Sequence, residues 1–224
     1  MSRATILKAV RAAAAQRRPA PLMRQAVAPS GLKLAQSLLS GTLIARLRAC
    51  GVIVERLRAW DAVPAAVLKV VTAAGQPLVI RHGADALFNT LAWNQVPNLQ
   101  RRTGAASRED KTSLSRALSA ISETGTLVLG SGPDNPVTLS FLPELHIVVL
   151  DETCIFETMD EALARVRSPG DAPQLPRTVN LISGASRTGD IGGRLVLGAH
   201  GPRQLAVLLV GGSQENGASE GRRQ

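Results

Sequence analysis

The chain has 224 residues, enough for one large domain or two small ones, and its 45% apolar and 19% charged residues suit a globular chain with a sizeable core. No uninterrupted apolar run approaches the roughly 18 residues of a membrane span. The net charge of +9 sits at one end: nine bases and no acid precede Glu55, and the remaining 17 bases match 17 acids.

That basic segment has no interleaved aromatics and no nucleic-acid motif. A solvated helical face, or a docking surface for an acidic partner, is expected there rather than DNA or RNA binding. An Arg-rich, acid-free start also matches the composition of an organellar transit peptide. The two cysteines, Cys50 and Cys154, are far apart in sequence and form no CxxC or cluster-ligand run, so no iron–sulfur cluster and no zinc site is expected in this chain. No signal peptide is recognisable, and the expected compartment is the reducing cytoplasm. With three Phe, two Trp and no Tyr, the core must be built from Leu, Val, Ile and Ala.

Residues 3–16 read as a helix, because Ile6, Leu7, Val10 and Ala13 recur at helical spacing between bases. Residues 17–30 hold three prolines and form a linker. From 32 to 49 the helical pattern resumes through Leu34, Leu38, Leu39, Leu43 and Leu47, and Gly51 supplies the stop. A short strand is expected over 51–54. A helix follows over 63–74, with Asp61 as its N-cap and Pro64 in its first turn. The run 77–81 predicts a buried strand ending at His82-Gly83, then a turn or short helix over 85–88 and another apolar element over 91–96. Residues 101–110 are polar and expected at the surface. Over 111–123, Leu114, Leu118 and Ile121 fit one face of a helix.

Further strands are predicted at 126–130, 146–150, 179–182 and 205–210, with a helix over 156–166 and a Pro-rich loop over 168–176. The polar, Gly-rich end, 211–224, reads as a disordered tail. Short strands separated by helices predict an α/β fold around a mostly parallel sheet. Ligands of such sheets sit outside the carboxyl ends of the strands, which points to the loops after Ile80, Leu129 and Ile182.

Several groups have the chemistry of a site. Between the last two strands lies a glycine-rich stretch, 183–202, that carries Ser183, Ser186, Arg187, Thr188, Asp190 and His200. An arginine fork beside free backbone N–H groups suits a carboxylate or phosphate. Glu123 enters a strand at a Gly turn; it is either a turn-capping acid or a general base or nucleophile facing a cleft. Ser131 and Asn135, in a loop with two glycines, form a candidate anion nest, although neither the dinucleotide fingerprint nor the P-loop is present. His146 starts an apolar strand and reads as structural. His82 follows a strand end, and His200 is suited to positioning or proton transfer. None has a neighbour at metal-ligand spacing.

Two of these stretches also carry a family resemblance. Glu123-Thr124-Gly125-Thr126 before an apolar strand, and Ser186-Arg187-Thr188, Asp190-Ile191, Leu195-Val196 and His200-Gly201-Pro202 in that order, resemble the signatures of the lactate utilisation protein C (LUD-domain) family. Leu139, Leu142, Pro143 and His146 fit it as well. Gly189 stands where the family usually has alanine, and Gly192 where it usually has glutamate. The resemblance implies a Rossmann-like, open, mostly parallel sheet of the sugar-phosphate isomerase, CoA transferase and formyltetrahydrofolate cyclo-ligase type. That domain would span 51–210, behind a basic helical arm over 1–50 and before the tail at 211–224. For 111–123 the resemblance implies a brief strand ending near Ser115 with a turn or short helix after it, and this assignment is adopted.

The resemblance further implies a component of a system that oxidises L-lactate to pyruvate. Iron–sulfur clusters would be held by partner proteins, and this chain would carry no cofactor. A small anionic metabolite would be bound by Thr124, Gly125, Thr126, Ser131, Asn135, Ser183, Ser186, Arg187, Thr188 and Asp190, with Glu123 and His200 as candidate catalytic groups. The alternative is a stand-alone isomerase, transferase or cyclo-ligase that uses Glu123. The proposed pocket requires Glu123 and Arg187 to share one cavity at the rim of the sheet.

Overall fold

The computed structural model describes residues 3–16, 34–166, 175–191 and 194–211. The chain divides into two compact units, Met1–Lys33 and Leu34–Gln224. The first contains one described element, the helix α1 (Arg3–Gln16), at its predicted bounds. The linker over 17–30, nearly all of the tail and most of the Pro-rich loop lie outside the described residues.

The second unit begins with α2 (Gln36–Ala49), which composition alone groups with the basic arm. Its Leu39, Leu43, Ile44 and Leu47 are buried and join a core cluster of this unit. The helix ends as Gly51 predicts. Gly51 adopts φ 77°, its N–H donates to Arg48 O (2.9 Å), and the Val52 N–H donates to Leu47 O (3.0 Å), which is the Schellman pattern.

β1 (Ile53–Leu57) leads through a 3-10 turn into α3 (Val63–Ala73) and β2 (Val79–His82). Asp61 falls inside that 3-10 turn and caps nothing; the N-cap of α3 is Ala62, without a side-chain bond, whereas Pro64 does occupy the first turn. After α4 (Ala86–Thr90), residues expected only to be surface form β3 (Gln100–Thr103), an edge strand exposed along its length. The helical spacing over 111–123 is coincidental. That segment forms β4 (Thr112–Arg116) and then β5 (Ser119–Ile121), where a turn or short helix was expected.

β6 (Thr126–Gly130) matches its prediction, and β7 (Leu145–Asp151) extends it by one residue at each end. Phe156 belongs to a short strand, β8 (Ile155–Phe156), so the helix expected from 156 is α5 (Met159–Ala164), started by a Thr158/Glu161 capping box. The chain continues through β9 (Val179–Ile182) to β12 (Gln204–Val210). Between them the glycine-rich stretch contains a hairpin, β10 (Arg187–Ile191) and β11 (Arg194–Leu197).

The main sheet has six strands in the order β1-β12-β7-β4-β2-β3, and every neighbouring pair is parallel. This is the expected Rossmann-like α/β architecture. β7 and β12 are apolar almost throughout because both of their faces are covered. On one face Ile147, Val149 and Leu208 pack with Val67, Val70 and Val71 of α3. On the other, Val148, Leu150, Val207 and Leu209 meet Leu43 and Leu47 of α2 and Leu127 and Leu129 of β6. β6 belongs to a second sheet, β8-β5-β6-β9, antiparallel across β5–β6 and β6–β9. Ala162 of α5 packs with Ile121 and Val128 of this second sheet. Among the described residues no helix is long and apolar enough to cross a membrane.

Leu47 is fully buried whereas Leu38, on the same helix, is 53% exposed. Leu47→Ala is therefore expected to lower the unfolding free energy by about 2–5 kcal/mol, and Leu38→Ala by about 0.5 kcal/mol or less. Urea unfolding of the two variants checks the pair.

Candidate functional site

The two signature stretches meet because β6 and β9 pair antiparallel, with Leu127 opposite Ile182 and Gly130 opposite Val179. Thr126 and Ser183 therefore flank the first pair on the same side, and their hydroxyl oxygens lie 2.8 Å apart. Thr124 extends this into a row of three hydroxyls, its Oγ1 standing 2.8 Å from Thr126 Oγ1. The turn between them rests on α2. Gly125 has φ 72°, and a Cβ there would stand 2.5 Å from Arg46 Cβ, so only glycine allows the approach. Downstream, the Ser186 N–H donates to Pro202 O (2.9 Å) and the Gly198 N–H to Ser186 O (2.9 Å). These bonds hold the segment after β9 against the His200-Gly201-Pro202 turn.

A cavity of about 340 Å³ lies beside these contacts. β9 forms one wall. His146 and Leu205, each the second residue of its strand in the main sheet, form another. Ser140 and Phe141 close one end, and Ser183, Ser186 and the 200–202 turn close the other. The cavity is therefore at the amino ends of β7 and β12, not at the carboxyl ends of the parallel strands. Of the three loops expected around a site, only the one after Ile182 lines it. The loops after β2 and β6 pack on each other instead: the Ala84 N–H donates to Pro133 O (3.0 Å), and Gly83 lies so close to the Asp134 backbone that no side chain would fit.

Ser183, Ser186 and His200 line the cavity, and Thr126 reaches it through its bond to Ser183. Glu123 and Arg187 do not line it. Glu123 is exposed, and its backbone N–H donates to Glu157 O (3.3 Å). The Arg187 guanidinium donates to Cys50 O (2.9 Å) at the end of α2, where a cation complements the helix dipole. Arg187 thus stands at the C-terminal end of α2, and Glu123 is held by the backbone of the segment after β8.

The Ser131–Asn135 loop uses its N–H groups internally. The Ser131 N–H donates to Thr178 O (2.9 Å), and Gly132 and Asn135 bond to each other (3.3 and 3.2 Å). Ser131 Oγ accepts the Thr178 N–H (2.9 Å), and Asn135 Nδ2 donates to Gly130 O (3.2 Å). Thr188 pairs with Val196 in the hairpin, and Asp190 lies in β10 with its side chain outside the described ones. Gly192 is outside the described residues altogether.

Three polar side chains among the lining residues, those of Ser140, His146 and Asn180, were not anticipated as site groups. His146 is fully buried, with Nε2 3.0 Å from Ser115 Oγ. Burial pushes its pKa down to about 3, so the imidazole is neutral at physiological pH. Its Nδ1, Ser140 Oγ and Asn180 Nδ2 are all buried with no hydrogen-bond partner among the described residues. The available signal was one polar residue inside the apolar run of β7.

A more open cleft of about 610 Å³ shares Phe141, His200 and Gly201 with the cavity and adds Arg108, Glu144 and Arg203. Lys111 bonds Glu144 at 2.8 Å and holds its carboxyl below the usual range. Among the described residues no group of three or more His, Cys, Asp or Glu side chains is placed to hold a metal ion.

The LUD domain model matches residues 79–210. The chain is 38% identical over 96 residues to an uncharacterized protein of Neisseria meningitidis serogroup B, covering 43% of this chain and 40% of that one. It is 40% identical over 93 residues to lactate utilization protein C of Deinococcus radiodurans, covering 41% and 42% of the two chains. Against lactate utilization protein C of a Geobacillus strain, identity is 35% over 91 residues, 40% of this chain and 38% of that one. Each match thus spans about two-fifths of the curated relative's length. In fold, the chain is similar to the crystal structure of a DUF162 family protein from Deinococcus radiodurans, with a TM-score of 0.56 at 21% identity over 80% of this chain and 99% of that one.

The buried histidine has a measurable signature. An unfolded His binds its proton near pH 6.5, whereas folded His146 binds one only near pH 3. Between those values the unfolded state holds the extra proton, so stability falls as pH drops, by about 1.4 kcal/mol per pH unit for one such group. His82, also lowered by burial, acts in the same direction. In urea unfolding between pH 7 and pH 4, His146→Gln should show a shallower acid loss by about that slope. An unchanged slope would contradict the burial argument.

Proposed function

The chain belongs to the LUD domain family, its LUD domain spanning residues 79–210, and on that premise we propose that it is the cluster-free component of an L-lactate utilisation system. The observation that carries this reading is the identity of 35% over 91 residues and 40% over 93 residues to two proteins named lactate utilization protein C. In this reading iron–sulfur partner proteins, in the same cytoplasm, oxidise lactate to pyruvate. This chain binds the small anionic metabolite or holds the assembly together.

The geometry supports the binding role, because the segment after β9 and the His200-Gly201-Pro202 turn of the late signature stretch line a single cavity. Ser183, Ser186 and His200 line it, and the Thr124–Thr126 hydroxyl row braces Ser183. The basic N-terminal segment, with nine cations before Glu55, suits acidic partners. The stand-alone enzyme reading draws no support from the cavity, since Glu123 does not line it.

Deleting the gene should abolish growth on L-lactate while sparing growth on pyruvate, and affinity purification from native extract should recover iron–sulfur proteins with the chain. Unimpaired growth on L-lactate would overturn the reading.

A further inference from the structure

The outer strands of a sheet are open to pairing with another chain, because their outward N–H and C=O groups have no partner within the fold. The two larger sheets have four such strands, β1, β3, β8 and β9. Three of them are guarded. β3 carries Arg101 and Arg102. β1 carries Glu55 and Arg56, and Arg48 donates to its Val54 O (3.4 Å). β8 is two residues long, and Gln36 Nε2 donates to its Ile155 O (3.3 Å). β9, Val179-Asn180-Leu181-Ile182, has no charge and no proline, and its pairing with β6 runs without a bulge.

The register shows which backbone groups of β9 face outward. Ser131 and Thr178 are the next pair beyond Gly130 and Val179, and the Ser131 N–H donates to Thr178 O (2.9 Å). Antiparallel strands exchange bonds at every second pair. Asn180 and Ile182 therefore turn their N–H and C=O toward β6, and Val179 and Leu181 turn theirs away. Among the described residues no other segment bonds those outward groups. All four residues of β9 line the cavity although their side chains alternate between faces, which sets the cavity along this open edge.

The surroundings select the occupant. Leu181 is 46% exposed, and Phe141, Leu142 and Leu197, which border the cavity or its adjoining cleft, are exposed as well. Arg108 and Arg203 line that cleft and are in no salt bridge among the described residues, whereas Glu144 is paired with Lys111. A second copy of this chain would bring the same unpaired cations to the edge, where like charges oppose association. We infer that β9 is a docking strand for a partner protein. An extended segment of alternating apolar residues with an acidic end adds to the second sheet as a fifth strand, bonded to Val179 and Leu181, its carboxylates over Arg108 and Arg203. This goes beyond the lactate reading and does not depend on it.

Amide hydrogen exchange of the full-length, 15N-labelled protein tests this. In the isolated protein the Val179 and Leu181 amides should exchange at least about tenfold faster than those of Asn180 and Ile182. The probe is the peptide acetyl-Glu-Asp-Val-Thr-Val-Thr-Val-amide. One comparator carries Lys-Lys in place of Glu-Asp, and another is N-methylated at every Val and Thr and so lacks the strand's donors. The acidic peptide should slow exchange at Val179 and Leu181 and bind at least about tenfold more tightly than either comparator. Arg108→Ala with Arg203→Ala should erase the preference for Glu-Asp over Lys-Lys. Leu181→Pro removes an outward donor that the fold does not use, so it should abolish peptide binding and leave the melting temperature unchanged. If that variant does not fold, the N-methylated peptide tests the same bonds.

The inference is overturned if the acidic peptide leaves both amides exchanging as before, or if the N-methylated or Lys-Lys peptide binds as tightly. Protection of Val179 and Leu181 in the isolated protein that grows with protein concentration would give the edge to a second copy and overturn it too. Growth on L-lactate bears on none of these outcomes, so the docking strand and the lactate reading fail separately.

Discussion

An all-parallel sheet whose inner strands β7 and β12 are nearly continuous apolar runs must be covered there on both faces, and the rest of this structure follows from how that requirement is met. α3 covers one face of the main sheet. The other is shared between α2 and the second sheet, whose Leu127 and Leu129 pack on Val148, Val207 and Leu209. The second sheet ends in an open-edged strand, β9, and beside it the main sheet presents His146 in place of an apolar residue. The cavity forms where two covering layers meet and the apolar pattern is interrupted. Of the loops that usually mark a site on this class of sheet, only the one after Ile182 contributes to it.

The two rims of the sheet are treated differently. The carboxyl rim is closed by charge pairs and turn contacts: Arg116 bonds Asp85 at 2.6 Å, Arg56 bonds Glu152 at 2.8 Å, and the Gly83 and Pro133–Asp134 turns interlock. At the amino rim, between Ser140, His146 and β9, the buried polar atoms have no such partners. Arg187, the group best suited by type to bind an anion, serves the fold instead by bonding the last carbonyl of α2. The hydroxyl row of Thr124, Thr126 and Ser183 joins the two signatures without any charge at all.

Much of the fold was legible wherever burial leaves a periodic trace. The runs in β6, β7 and β12 stand out because both faces are apolar, and Gly51 announces its turn because only a left-handed residue closes that helix. β3 was illegible because a fully exposed strand has no alternation. β4 and β5 mimicked a helix because Leu114, Leu118 and Ile121 fall three and four residues apart by chance. Of the site, Ser183, Ser186 and His200 were readable from motif and residue type. Ser140, His146 and Asn180 were not, since isolated polar residues beside apolar runs are ordinary and only an unpaired atom on a cavity wall gives them meaning.

The amino-acid sequence by itself determined the α/β class, the helix that ends at Gly51 and the family, because local spacing and contiguous motifs survive without knowledge of contacts. Only the tertiary structure decided which rim holds the cavity, what Arg187 bonds and which polar atoms stay unpaired. Those outcomes depend on groups brought together from across the chain, as Arg187 is with Cys50, and no local pattern encodes such a meeting.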